Sequence, residues 1–263
     1  GAPTLEKIHN KYYLRFSFTE TVTLSDTPIA EQIICAVDLG INTDAVCSIM
    51  KADGTILARK FIDFASDKDR MIHAMNRTRR KQSKYGPKSA RGLWAYVKRL
   101  NEDRAKKISA AIVEFASQHS VDTIVMEHLD FKGCKKRGSK AQRLSMWNHG
   151  IIREKVEQKA HLLGIRIATI CAWKTSALAF DGSGSVTRDD NNHALATFTT
   201  GKQYNCDLSA SYNIGARYFI RELLKSLPAT EESRVKAKVP DAGRRTSCTL
   251  STLRMLVKEL SAA

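Results

Sequence analysis

Residues 11–24 run Lys-Tyr-Tyr-Leu-Arg-Phe-Ser-Phe-Thr-Glu-Thr-Val-Thr-Leu, an alternation of apolar and polar side chains that predicts a half-exposed strand. Ser25-Asp26-Thr27-Pro28 breaks the pattern. Ile33-Ile34-Cys35-Ala36-Val37 follows with no alternation, as expected of a central strand covered on both faces, and ends in Asp38-Leu39-Gly40. Residues 45–50 and 56–62 flank the turn Ala52-Asp53-Gly54-Thr55, which makes three antiparallel strands in a meander. A helix-compatible region spans 69–100 and is interrupted at Tyr85-Gly86-Pro87. From 102 to 117, Ile108, Ala111, Ile112, Phe115 and Ala116 share one helical face. Thr123-Ile124-Val125-Met126 is a fourth strand running into Glu127. A helix over about 144–163 ends at Gly164, and 165–170 is a fifth strand. Residues 181–203, rich in Gly, Ser, Asp and Asn, read as an insertion or long loop. The last clear helix opens at Asp207, with Leu208, Tyr212, Gly215, Phe219 and Leu223 on one side. Beyond Pro228 the chain is polar until Leu250, Leu253, Leu256 and Leu260, a tail with no functional reading. The order β-β-β-α-β-α-β-α predicts an α/β fold in which three antiparallel strands are extended by parallel ones through helical crossovers.

That order gives three acids a special place. Asp38 ends the first central strand, Glu127 ends the fourth and Asp207 begins the final helix. Adjacent parallel strands bring their carboxyl ends to one edge, where such sheets place their sites. Singly, Asp38 is a turn residue, Glu127 a surface residue at a strand end, and Asp207 an acid at a helix N-terminus. Together they repel one another unless cations lie between them. Hard divalent ions with oxygen ligands answer this, Mg²⁺ foremost, and a pair of them suits phosphodiester hydrolysis.

Charge changes the picture through its location. Of 43 Lys and Arg, 14 lie between Lys68 and Lys107 against 3 acids, and 6 lie between Lys132 and Arg143 against none. The two windows account for the net charge of +16, and the rest of the chain is nearly neutral. Such concentration suits a polyanion track more than a membrane surface, because neither window carries a broad apolar stripe. No apolar run reaches the roughly 18–20 residues of a bilayer span. The six cysteines, at 35, 47, 134, 171, 206 and 248, contain no Cys-x-x-Cys and are too sparse for a secreted disulfide framework, so a reducing cytoplasm is expected. Cys35 and Cys47 read as small buried hydrophobes. The first residues do not form a signal peptide, and the lack of an initiating Met leads us to expect a segment of a longer protein.

Three stretches carry a family resemblance: Ala36-Val37-Asp38-Leu39-Gly40-Ile41-Asn42, Ile124-Val125-Met126-Glu127-His128-Leu129, and Asp207-Leu208-Ser209-Ala210-Ser211-Tyr212-Asn213-Ile214-Gly215. In order, they resemble the motifs of the RuvC-like nuclease half of transposon-encoded TnpB/OrfB proteins and their relatives, the compact type V CRISPR effectors. The resemblance covers 33–220. It implies a ribonuclease-H-like mixed five-stranded sheet flanked by helices, with catalytic, metal-binding acids at Asp38, Glu127 and Asp207. The strands at 11–24 resemble the end of the wedge domain preceding that nuclease, whose recognition region and larger wedge part are then expected to be missing here. The implied division is a wedge-like remnant at 1–31, a nuclease core at 32–172, an insertion at 173–206, the third-motif helix at 207–227 and the tail at 228–263. Relatives carry a four-cysteine zinc ribbon after a Thr-Ser pair. Here Thr175-Ser176 is present, but His193 and Cys206 alone do not make a zinc site, so zinc is not expected and the insertion is expected to hold by its own packing.

What this implies is an Mg²⁺-dependent endodeoxyribonuclease, with Mn²⁺ as a substitute, guided by RNA to target DNA in its full-length form. Asp38 and Asp207 would hold and bridge metal, and Glu127 would also place the attacking water. Arg77, Arg79, Arg80, Lys81 and Lys84, with Tyr85, Trp94 and Tyr96 nearby, are candidates for backbone and stacking contacts. Lys135, Lys136 and Arg137 form a second candidate phosphate patch, while Trp94 and Trp147 read first as core. A nucleic-acid-binding module that does not cut, and a strand-transferring transposase of the same fold, are the alternatives.

Overall fold

The computed structural model describes residues 2–8, 10–129, 147–244 and 246–262. Its first elements are an exposed hairpin, β1 (Thr4–Ile8) against β2 (Lys11–Arg15). The strand predicted over 11–24 therefore stops at Arg15. The ladder ends there because β1 is exhausted where Thr4 meets Arg15.

The centre is a five-stranded sheet built from β3 (Ile33–Asp38), β4 (Ala45–Lys51), β5 (Ile56–Ile62), β6 (Thr123–His128) and β7 (Arg166–Cys171). Their spatial order is β5-β4-β3-β6-β7, antiparallel from β5 to β3 and parallel from β3 to β7. This is the sheet that the strand pattern predicts. Between β5 and β6 stand α1 (Ala65–Tyr85) and α2 (Arg91–Gln118), separated at Gly86 and a short 3₁₀ turn over Pro87–Ala90. The break at Gly86-Pro87 is where the sequence places it, but 91–118 is one continuous helix, its 28 residues (about 42 Å) carrying the basic segment directly into the apolar one. α3 (His149–Leu162) leads through Gly164, at φ 75°, into β7.

Alternate side chains of β3 and β6 go to opposite layers. Cys35, Val37, Ile124 and Met126 pack with Ile108 and Ile112 of α2 and Ile152 and Val156 of α3. Ile34, Ala36 and Val125 pack with the long helix α4 (Cys206–Ser226). α4 approaches closely at Gly215, where a Cβ would lie 2.9 Å from Met50 Cε and 3.2 Å from Ala36 Cβ.

Residues 181–203 are more than a loop. They contain three short strands, β8 (Thr187–Arg188), β9 (Leu195–Thr197) and β10 (Gln203–Asn205), in the order β10-β9-β8. Ala179, Ala196, Phe198 and Cys206 form a small core beneath them, and the Phe180 ring meets Phe198, Tyr204 and Tyr212 edge-on.

The tail, which the sequence left without a functional reading, is ordered and helical. It forms α5 (Ala229–Lys238) and α6 (Leu250–Ser261), the latter opened by a Thr249/Thr252 capping box. Leu250, Leu253 and Leu256 are fully buried against α4. Leu253→Ala should cost about 2–5 kcal/mol through lost burial and a residual cavity, read as a lower urea midpoint at unchanged slope. No helix among the described residues is long and apolar enough to cross a membrane.

Candidate active site

The registers of β3 and β6 place two of the candidate acids side by side. Val37 is level with Met126, so the next residues, Asp38 and Glu127, are level too. Both continue the rows Ile34–Ala36 and Thr123–Val125 and therefore point to the α4 layer. Glu127 is not the strand's end as predicted: β6 continues to His128, pairing with Cys171 of β7. Asp207 is the second residue of α4 and stands over the same sheet edge.

Local chemistry keeps each acid free for that position. Asp38 is followed by a tight turn in which a Cβ on Gly40 would come within 2.5 Å of the Thr43 carbonyl oxygen. Asp207 does not cap its helix. Asn205 does so, its side-chain oxygen accepting from Leu208 N at 2.8 Å, while the nearby Thr43 side chain lowers the Asp207 carboxyl. Glu127 accepts from the Thr175 hydroxyl.

All three carboxyls are half-buried, and all titrate above their ordinary range. Burial raises Asp38 most, and the charges of Glu127 and Asp207 add to it, so Asp38 is the acid that feels both others. Burial also dominates at Glu127, opposed by the Thr175 hydrogen bond and the Arg217 charge, and at Asp207, opposed by Arg188 and Thr43. Among the described residues no three Asp, Glu, His or Cys side chains close around a single ion.

The five predicted basic residues lie on α1, which contributes none of the three acids. Arg77, Arg79, Arg80, Lys81 and Lys84 are exposed on one helix, and among the described residues none makes an ion pair. Lys84 lies over the exposed Tyr85 ring at 5.1 Å. Trp94 is 36% exposed and so is not the core residue of its first reading; Tyr96 is equally exposed. The second patch, Lys135, Lys136 and Arg137, lies outside the described residues.

Four further residues complete the surroundings, and the sequence reading did not select them for the site. Arg188, exposed on β8 and hydrogen-bonded to Ser176 Oγ at 2.8 Å, faces Asp38 and Asp207. Nothing in its Gly- and Asn-rich stretch marks it. Thr175, Asn213 and Arg217 are buried. A signal for the last two existed: Asn213, Arg217 and Arg221 are polar residues spaced by four in an otherwise apolar helix.

Arg188 supports a prediction. Acids whose pKa is higher folded than unfolded bind extra protons when folded, so stability falls as pH rises from the ordinary carboxylate range towards the raised values. Arg188→Ala removes a charge that lowers Asp38 and Asp207, and should steepen that fall. Urea unfolding in EDTA should show the variant more destabilised, relative to the unsubstituted chain, at pH 8 than at pH 4. An equal difference at both would mean that Arg188 does not act on the acids.

No protein-family model matches the chain, and no curated protein matches it. Solved structures do. A chain of the cryo-EM Cas12f1–sgRNA–target DNA complex is similar with a TM-score of 0.53 and 19% identity, over 80% of this chain and 54% of that one. A chain of a cryo-EM CRISPR–Cas12f ternary complex gives 0.50 and 17%, over 77% and 41%. The crystal structure of the AacC2c1–sgRNA binary complex gives 0.53 and 10%, over 72% and 39%. The chain thus spans about half or less of each of these three chains. At these identities the likeness is one of fold, and the fold is a ribonuclease-H-like mixed α/β sheet.

Proposed function

We infer that this chain is the nuclease portion of an RNA-guided, DNA-cutting protein of the TnpB and compact type V kind, with Asp38, Glu127 and Asp207 as its catalytic acids. The observation that carries this is the level placement of Asp38 and Glu127 on neighbouring parallel strands, beneath the first turn of the helix that bears Asp207. The donor set fits hard divalent ions: three carboxylates whose charge is costly in this position and would be relieved by a cation. Asp38 stands between the other two, since the charges of both Glu127 and Asp207 raise it. Asp38, Glu127 and Asp207 would together hold a pair of Mg²⁺ ions, with Mn²⁺ as the substitute. Such ions, when bound, supply activation of water and stabilisation of the leaving oxygen in phosphodiester hydrolysis.

The protein's own groups do the rest. Glu127, fixed by the Thr175 hydroxyl, positions the attacking water and accepts its proton. Arg188 balances the acids and is exposed to meet an incoming phosphate. The α1 cations carry the backbone of guide or target strand past the site, each contact adding salt dependence. The partners are thus a guide RNA and a target DNA. A cytoplasmic setting goes with them, and Cys35 and Cys47 are fully buried apolar residues there. Zinc has no part in this proposal: Cys206 is buried in the small aromatic core and donates to the Ser176 carbonyl at 3.4 Å.

The test is incubation of the chain with labelled single-stranded DNA in Mg²⁺, Mn²⁺ or EDTA, beside a gel shift. Cleavage that needs a divalent ion is expected. Binding without cleavage in every metal would favour a binding module, and joined-strand products would favour a transposase.

A further inference from the structure

The third-motif helix carries a polar stripe that the acids do not account for. Asn213, Arg217 and Arg221 lie one turn apart on α4, and all three donate to the segment that leaves the sheet at β7. Arg221 Nη1 donates to the Thr169 carbonyl at 2.7 Å. Arg217 Nη1 donates to Cys171 and Trp173 at 2.9 and 2.8 Å. Asn213 Nδ2 donates to Thr175 and Leu178 at 3.0 and 2.9 Å. Thr169 and Cys171 lie on β7, an edge strand, and their carbonyls belong to the set turned away from its neighbour, so there the helix supplies donors that a sixth strand would otherwise give. Trp173 and Thr175 lie in the turn that follows, so the same helix face carries the grip past the end of the strand.

The same side chains hold the tail. Arg217 Nε donates to Cys248 O at 3.2 Å and Nη2 to Thr246 O at 3.0 Å, while Asn213 Oδ1 accepts from Leu250 N at 3.3 Å. Four of the five N–H groups of a guanidinium only 5% exposed are therefore committed to backbone. A buried cation is retained at high cost without such partners. The ladder ends at Thr175, whose hydroxyl donates to Glu127.

We propose that Asn213, Arg217 and Arg221 form a positioning ladder that registers the 169–178 segment on α4, sets Thr175 against Glu127, and makes the C-terminal segment 246–250 a working part of the acid cluster. These are positioning residues acting through Thr175. The inference rests on the reading of Glu127 as a metal-holding acid for its effect on cleavage, but not for the contact itself.

The experiment compares Thr175→Val, which removes the hydroxyl at nearly constant shape, with Thr175→Ser, which keeps it, and with Arg217→Lys, which keeps charge but loses the fork. In metal-free protein, the Glu127 carboxyl ¹³C resonance should shift in Thr175→Val and Arg217→Lys and return in Thr175→Ser. An unmoved resonance in Thr175→Val overturns the ladder, whether or not the chain cuts DNA. A resonance that moves in Thr175→Val but not in a folded Arg217→Lys confines the effect to the hydroxyl and also overturns it. Mn²⁺ binding, followed by electron paramagnetic resonance, should weaken about 10–100-fold in Thr175→Val, with single-strand affinity unchanged and Thr175→Ser near the unsubstituted chain. Absence of Asp38-dependent Mn²⁺ binding in the unsubstituted chain, with the resonance shifts present, would sink the nuclease reading and leave the ladder standing.

Discussion

Asp38→Asn should reduce DNA cleavage by at least about 10³-fold, the upper end of what loss of one electrostatic stabiliser costs in other active sites. The charges of both other acids bear on Asp38, which would hold metal in the proposed site. Asparagine keeps the shape and removes the charge. The same change should not weaken the fold. In EDTA the raised Asp38 pKa means that the folded chain loses stability as pH rises above the ordinary carboxylate range, and asparagine abolishes that loss. We expect the variant to be more stable by about 0.5–2 kcal/mol at pH 8 and to approach the unsubstituted chain at low pH, where the aspartate is protonated. Single-strand binding should be unchanged, because the α1 cations are untouched. Cutting at the original rate in Mg²⁺ or Mn²⁺ would remove Asp38 from the mechanism, and with it the two-ion assignment.

Asp44→Ala should have the largest effect on stability, about 3–5 kcal/mol, although Asp44 belongs to none of the three motifs. Its side chain is wholly buried; one oxygen accepts from Phe64 N at 2.8 Å and the other takes the Arg104 guanidinium and Lys68 at 3.3 Å. Alanine leaves a nearly buried guanidinium without its counter-charge. Lys68 also donates to Asn42 O, so this one carboxylate fastens the 40–44 turn beyond Asp38 to both α1 and α2. Urea unfolding measures the loss. Adding Arg104→Met should recover part of it, since the residual cost lies in the unpaired charge; a double variant as unstable as Asp44→Ala plus the full cost of losing Arg104 would show that the cost lies elsewhere.

The central strands were legible because burial on both faces writes an unbroken apolar run, and the approach of Asp38 and Glu127 followed from strand order alone. The helix break at Gly86-Pro87 was legible from backbone chemistry, since the glycine there sits at φ 83°. The extent of the hairpin was misjudged and the tail left unread for one reason. Alternation at 11–24 shows that a strand is feasible, but its extent depends on how long its partner is, and β1 is five residues. The leucines of α6 were visible, yet a short amphipathic stretch does not say what it covers. Arg188 was invisible because its role depends on where an inserted strand folds back in space.

By itself, the sequence determined the mixed sheet, the two basic windows and the three acids that sit at the ends or beginnings of elements, because period, charge and turn chemistry are local properties of the chain. Tertiary structure decided what surrounds those acids. Thr175 on Glu127, Thr43 near Asp207, Arg188 before Asp38 and the Arg217 clamp join residues from 29 to 164 positions apart. Such pairings cost chain entropy that the packed sheet and helices have already met, so they become defined only once the whole fold is in place.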